Sequence, residues 1–401
     1  MAITKGVNKR LAYKKETTWG TLAGASGSKY LRRVTADFNL KKETYESAEI
    51  RTDFQVADFR HGVRSAEGSL NAELSPGSYS DFMASVVAKD FVAGVVLSAL
   101  SITIAASGVF FTITRASGSW ISDLINVGDV LAFTGGLNAA NVSNNVLVAS
   151  MTATILTVTL LSSTPLIAEG PIASVTATVR GKKTQAPLLG HTDDSYTIEE
   201  FYADIAQSEV YTGMKVGSMG IKLPATGLVT CDFSLMGQNL TQTGVTQYFT
   251  TPTAAGTTGI FAAVSGALVV NGIPVALITS MDMTVERALE PAKVVGSNFA
   301  AAMFTGRIRV NGNMSVYYQD GVFRDYFNAE SIVTVVVALS TDSSKTADVI
   351  SFCMPKIKLG SATKKDSENG IIQDHSFVAL LNSVTTAGLP NTTIQIQDTA
   401  A

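Results

Sequence analysis

The chain carries one pattern twice. Residues 68–83 read GSLNAELSPGSYSDFM, and residues 312–327 read GNMSVYYQDGVFRDYF. Aligned at Gly68 and Gly312, apolar residues follow at every second position: Leu70, Ala72 and Leu74 in one, Met314, Val316 and Tyr318 in the other. A period of two marks a strand with one buried face. Each strand then meets a turn former and a glycine, Pro76-Gly77 and Asp320-Gly321. Beyond them lie Tyr79, Asp81, Phe82 and Met83, matched by Phe323, Asp325, Tyr326 and Phe327. These fit the first turns of a short helix, with an acid near its positive end.

The repeat extends both ways. Upstream, VTADFNLKKE (34–43) and ITSMDMTVER (278–287) each precede a long loop and a second strand, and Gly62 and Gly68 match Gly306 and Gly312 in spacing. Downstream, IKLPATGLVTCDFSLM (221–236) pairs with IKL at 357–359 followed by GIIQDHSFVAL (370–380). Self-similarity in a fixed order is the mark of duplication. The halves differ at 97–182, where the first holds a Ser/Thr/Val-rich insert with strand signals at FFTITR, DVLAFTG, NVLVASMTATILTVTLL and ASVTATVR. It reads as a small all-β barrel or sandwich grafted into a loop.

The expected architecture is therefore mainly β: a duplicated sandwich, each copy with a short helix, plus an inserted small all-β domain. Its boundaries are 1–96 with 183–240 for the first copy, 97–182 for the insert, 241–265 for a linker, 266–390 for the second copy and 391–401 for a polar, mobile tail. Composition agrees. The 401 residues are 46% hydrophobic but only 16% charged, below the usual charged share of about 25%. Low charge with high apolar content points to surface covered by partners. A net charge of −3 sets up no basic field for nucleic acid.

Residues 91–114 carry no charge, a length that could span a bilayer. The interspersed Ser, Thr and Gly, and the alternation at Val109, Phe111 and Ile113, fit two buried strands better. The basic N-terminus lacks an apolar run, so no signal peptide is expected. Cys231 and Cys353 sit in alternating apolar segments and read as buried thiols.

Nothing points to catalysis, a cofactor or a metal. No nucleophile elbow occurs. His191-Thr192-Asp193-Asp194 reads as a solvated loop, and His61 and His375 as structural. TGMKVGSMG (212–220) lacks the spacing of a phosphate loop and reads as strand and turn. The long loop 41–61 is more informative, because loops of that length in a compact fold are usually functional or disordered. Tyr45, Ile50, Phe54, Val56 and Phe59 alternate there with Glu46, Glu49, Arg51, Asp53, Asp58 and Arg60, a mixture suited to docking on a partner. Its counterpart, 287–304, carries Phe299, Met303 and Phe304. The alternative is a loop folded back on its own domain.

Together these residues resemble a family. IRTDFQVADFRHGVRSAEGSLNAELSPGSYSDFMASVV looks like the core of tail tube proteins of long-tailed, non-contractile bacteriophages. MGIKLPATGLVTCDFSLMG, MDMTVERALEPAKVVGS with FTGRIRVNGNMSVYYQD, and KGVNKRLAYKKETTWGT are similar to other parts of them. The resemblance covers most of 1–385 apart from parts of the insert. It implies sandwiches whose inner sheets join around a ring, rings that stack into a tube, and a lumen that conducts the genome. In that family a long early loop reaches the neighbouring ring; 41–61 and 287–304 match it by position. Tubes of this kind are usually hexameric, and some members carry the fold twice and close with three chains. Two complete halves place this chain in the second group, a homotrimer with pseudo-six-fold symmetry. The implied partners are further copies, the tail tip, terminator and tape-measure proteins, and viral DNA passing without specific binding. No membrane is implied. The implied location is the virion tail, assembled in the host cytoplasm.

Two expectations follow. Lumen-facing side chains should be acidic or neutral polar, and the insert should project outward, so that deleting 97–182 leaves assembly intact. Two other classes stay open. A capsid decoration or adhesin-type binding protein would suit the insert but leave the duplication unexplained. A glycan hydrolase would need two carboxylates paired across a cleft.

Overall fold

The structure, a computed structural model, describes residues 3–275, 277–365, 368, 370–384 and 388–401. The first half opens with β1 (Lys9–Lys15) and β2 (Lys29–Tyr30), then a long hairpin of β3 (Thr35–Glu46) and β4 (Phe59–Glu73). The alternation at Gly68 does what its period requires. Leu70, Ala72 and Leu74 are buried, and Glu67, Ser69 and Asn71 occupy the opposite face. Gly77, at φ 71°, turns the chain into α1 (Ser80–Val87). Six of its eight residues, Phe82 to Val87, are buried, as befits an interior helix apolar all round. Asp81 in its first turn accepts hydrogen bonds from Tyr13 Oη at 2.7 Å and Lys29 Nζ at 2.8 Å.

The insert follows a short β5 (Val92–Ala93). It comprises β6 (Val96–Ser107), β7 (Phe110–Arg115), β8 (Val130–Thr134), β9 (Val146–Met151), β10 (Ile155–Leu160) and β11 (Glu169–Val179). These close a barrel in the order β10-β7-β6-β11-β8-β9, which removes every free edge. The uncharged run 91–114 thus forms strands. Among the described residues no helix is long and apolar enough to cross a membrane.

The first half resumes with β12 (Lys182–Gln185), β13 (Tyr196–Tyr202), β14 (Gln207–Leu223), β15 (Thr230–Gly237) and β16 (Asn239–Gly244). TGMKVGSMG forms no turn, contrary to its sequence reading. It lies inside β14, a single 17-residue strand. Gly213 at φ 70° and register shifts near Val210 and Val216 bend that strand from one sheet layer into the other.

The second half contains β17 (Gly266–Val270), β18 (Ile273–Pro274), β19 (Ile278–Ala292), β20 (Ala302–Tyr317), α2 (Val322–Asn328), β21 (Val333–Ser340), β22 (Val349–Leu359), β23 (Thr363–Lys365), β24 (Ile372–Ala379) and β25 (Gln395–Asp398). Its pairings repeat those of the first half. β1 pairs with β2 and β13, as β17 does with β18 and β21. β4 lies between β3 and β15, as β20 lies between β19 and β24. One detail of the sequence alignment is corrected. Leu235 stands opposite Gly68 and Val216, whereas Phe377 stands opposite Gly312 and Leu359. Val216 therefore corresponds to Leu359, and the two IKL segments are not equivalent. The counterpart of the end of β14 is β23.

Two layers enclose the main core. One holds β3, β4, β15, the second half of β14, β19, β20, β24 and β23. The other includes β1, β13, β17, β21 and most of β22. Val335, Val337 and Leu339 face this core, whereas Val336 and Ala338 pack with Val269, Val349 and Cys353 into the core of the barrel. β21 is buried on both faces, which explains its unbroken apolar run VTVVVALS. The barrel thus lies across the outer layer, on the far side of the main core from β3–β23.

Two further expectations differ from the structure. The proposed tail holds β25, which pairs with both β12 and β22 and is fully buried. Its polar side chains are spent inside: Gln397 Nε2 donates to the carbonyls of Val130 and Arg180, and Gln395 Nε2 donates to Asp129. Polar composition signals exposure only where no partner is available. Residues 385–387, before that stretch, lie outside the described residues. The proposed linker 241–265 is anchored on the first half. Phe249 and Phe261 are fully buried, and the backbone N–H groups of Tyr248 and Phe249 donate to the buried carboxylate of Glu199.

Candidate assembly surface

The outer face of the β3–β23 layer is almost entirely polar. Along β3 and β4 it shows Asp37, Asn39, Lys41, Glu67, Ser69 and Asn71; along β19 and β20, Asp282, Thr284, Glu286, Arg309, Asn311 and Asn313. The face forms a trough of about 830 Å³ centred on the β14–β19 junction. Most of its cations are paired across strands; Arg307, which also lines the trough, has no counter-charge among the described residues. Lys41 meets Glu67, Lys222 meets Asp232 at 3.6 Å, Arg309 meets Glu286 at 4.0 Å, and Lys365 meets Asp374 at 2.5 Å. The Lys365 ammonium, with the Ser315 hydroxyl, holds the Asp374 carboxyl below its ordinary range.

The sheet ends on open edges. Among the described residues β3 pairs only with β4, and β23 only with β24. Between them the strand order runs β3-β4-β15-β14-β19-β20-β24-β23, so the two halves are joined edge to edge at β14 and β19. Sequence reading missed these edges. The matched ion pairs Lys222–Asp232 and Lys365–Asp374 were the available signal, hidden by the misleading IKL match.

The loops are shorter than sequence implied, because β3 runs on to Glu46 and β4 starts at Phe59. What remains, 47–58, stands clear of the core. Ile50 is 99% exposed and Phe54 98%. Phe54 has φ 58°, a conformation costly for a bulky residue. Arg51 pairs with Asp53 at 2.9 Å and Arg60 with Asp58 at 2.8 Å. Phe59 packs edge-on to His61, Tyr45 Oη donates to Glu43, and Glu46 and Glu49 face solvent.

The counterpart loop lies back on the first half. The Arg64 guanidinium sits 4.4 Å above the Phe299 ring, the Arg64 N–H donates to Asn298, and Lys293 pairs with Glu43. Met303 is 5% exposed, and its carbonyl accepts from Lys215 Nζ at 3.2 Å, while Phe304 is exposed. The structure therefore separates the site residues chosen from sequence. Those of 45–60 lie on or beside a free loop, Phe299 and Met303 are held internally, and Phe304 alone of the second set is open.

The charged segment after His191 is a loop with His191 and Asp193 exposed, as expected, but its acids are also paired: Asp193 lies 2.6 Å from Lys215 and Asp194 lies 2.7 Å from Lys15. The Lys215 side chain is only 4% exposed, and a buried ammonium requires such a counter-charge. His191 itself is exposed. Cys231 and Cys353 are free and buried, and burial pushes both thiols up.

A family model described as phage tail tube protein matches residues 6–379. The chain belongs to that family. Comparison with curated protein sequences gave no significant match. As a member of the phage tail tube family the chain is a structural component of the virion tail.

Proposed function

We propose that this chain self-assembles into stacked rings, three copies each with six similar lobes, whose lumen conducts the genome during ejection. One observation carries the reading: a continuous sheet crosses both halves, shows one polar face with its cations neutralised except at Arg307, and ends, among the described residues, on two open edges. Exposed edges are a liability unless they are paired. A heterologous contact that closes makes a ring and leaves no edge free. The polar face then lines the lumen. Ion-paired lysines and arginines hold a duplex weakly, since each phosphate contact would first break a pair. The barrel lies across the opposite layer and so projects outward.

Loop 47–58 is the contact to the next ring, with Ile50 and Phe54 as its apolar tips. The tail is of the long, non-contractile kind. Tip, terminator and tape-measure proteins are its partners, and assembly takes place in the host cytoplasm. Electron microscopy of the purified chain tests this. Stacked rings of three chains with six lobes support the reading. Rings of six chains overturn the trimer, and single particles at high concentration overturn self-assembly.

A further inference from the structure

We infer that neighbouring copies join by antiparallel pairing of the outer edge of β23 with the outer edge of β3, in a register that sets Lys365 opposite Asp37 of the next copy. The inference rests on the ring reading above and adds the residues that make the contact.

The template lies inside the chain. The second half of β14 pairs with β19 in the register Ser218–Glu286, Gly220–Thr284 and Lys222–Asp282. On its other side the same stretch pairs with β15, and Lys222 bonds Asp232 there. Lys222 therefore stands in a strand flanked by two aspartates.

Both components recur at the open ends. On one end, Gly220 is opposite Asp232 as Thr363 is opposite Asp374, and Lys365 reaches Asp374 as Lys222 reaches Asp232. The β23 strand thus repeats the end of β14, without a partner strand on its outer side among the described residues. On the other end, Asp37 is opposite Ser69 and Phe38 opposite Gly68, as Asp282 is opposite Asn313 and Met283 opposite Gly312. β3 repeats β19, again without an outer partner strand among the described residues; the Ala36 and Phe38 carbonyls accept from Lys9 Nζ and Tyr211 Oη. Carrying the register across gives Ser361 opposite Lys41, Thr363 opposite Asn39, and Lys365 opposite Asp37.

The chemistry is complementary. Among the described residues the exposed Asp37 side chain is hydrogen-bonded only by Ser69, so it meets the arriving lysine without losing a cation. β23 has three residues, all exposed. So short a strand on a sheet edge gains most of its order from a second neighbour.

Paired cysteines test the register. Cys231 and Cys353 are buried and do not compete. Within one chain Asn39 and Thr363 lie at opposite ends of the sheet, about 34 Å apart by strand spacing, so only a contact between copies can link them. Oxidising assembled N39C/T363C protein should give covalent multimers on non-reducing gels. N39C/K365C, out of register by two residues, should give about tenfold less, because a disulfide needs Cα atoms within about 7 Å. Stronger linking of N39C/K365C, or linking of neither pair in well-formed rings, overturns the register and leaves the tube standing. Absence of rings in the wild-type chain overturns the ring reading itself.

Discussion

Phe377 of β24 stands opposite Gly312 of β20, and its ring fills the place that a Cβ would take. At Gly68 the ring comes from the other side, from Phe38 of β3. Each half keeps one aromatic over the glycine but draws it from a different neighbour. A Cβ at either glycine would also overlap the backbone carbonyl of Asp37 or Asp282. Backbone in mid-sheet cannot yield cheaply, so Gly68→Ala and Gly312→Ala should each cost about 1–3 kcal/mol. Thermal melts of the unassembled chain check this, and an unchanged midpoint refutes it.

Glu199 is buried without a cation and accepts from Ser208 Oγ at 2.7 Å and from the N–H groups of Tyr248 and Phe249. Glu199→Ala leaves these donors unpaired, at about 1–3 kcal/mol for each one cut off from water. The expected result is protease cleavage within 245–260 at concentrations that leave the parent chain intact.

His375 is fully buried between β20 and α2, near the Phe323 ring. Burial holds its imidazole below the ordinary 6.5, against the Ser361 carbonyl and Asp374, which favour the charged form. The folded value is the lower one, so the unfolded chain takes the proton first. Its contribution to stability is complete above pH 6.5 and declines as pH falls towards the folded value. Urea midpoints from neutral pH to about pH 5 should fall more for the parent chain than for His375→Asn. Equal slopes would remove His375 from the acid response.

The barrel is not a detachable graft. Deleting 97–182 would bare Val336, Ala338, Val349 and Cys353, which share its core. The expectation from sequence that deletion leaves assembly intact is therefore replaced. The truncated chain should aggregate unless those positions are also made polar. Soluble yield and light scattering measure this, and a well-behaved simple deletion would contradict it.

Ile50 and Phe54 touch little of their own chain. Ile50→Asp with Phe54→Asp should leave the melting midpoint of the unassembled chain within about 0.5 kcal/mol of the parent, as for surface changes generally. Tube length in micrographs should fall sharply. Full-length tubes would take loop 47–58 out of the stacking contact.

Much of this protein was legible in its sequence because local periodicity fixes local structure. Alternation about Gly68 and Gly312, the turn glycines before α1 and α2, and the strand signals of the insert report interactions within a few residues. What sequence left open depended on distant partners. Gln395 to Asp398 read as a tail because polar side chains look solvated until a barrel offers them buried carbonyls. Met303 read as a docking residue, although the strand that buries it is set by long-range pairing. The IKL match misplaced the second copy by several residues, since register is decided by cross-strand contacts such as Lys365–Asp374, not by resemblance along the chain. Tertiary structure alone decided which edges stay open, because an edge is defined by the absence of a neighbour, and neighbours in a sheet come from anywhere in the sequence.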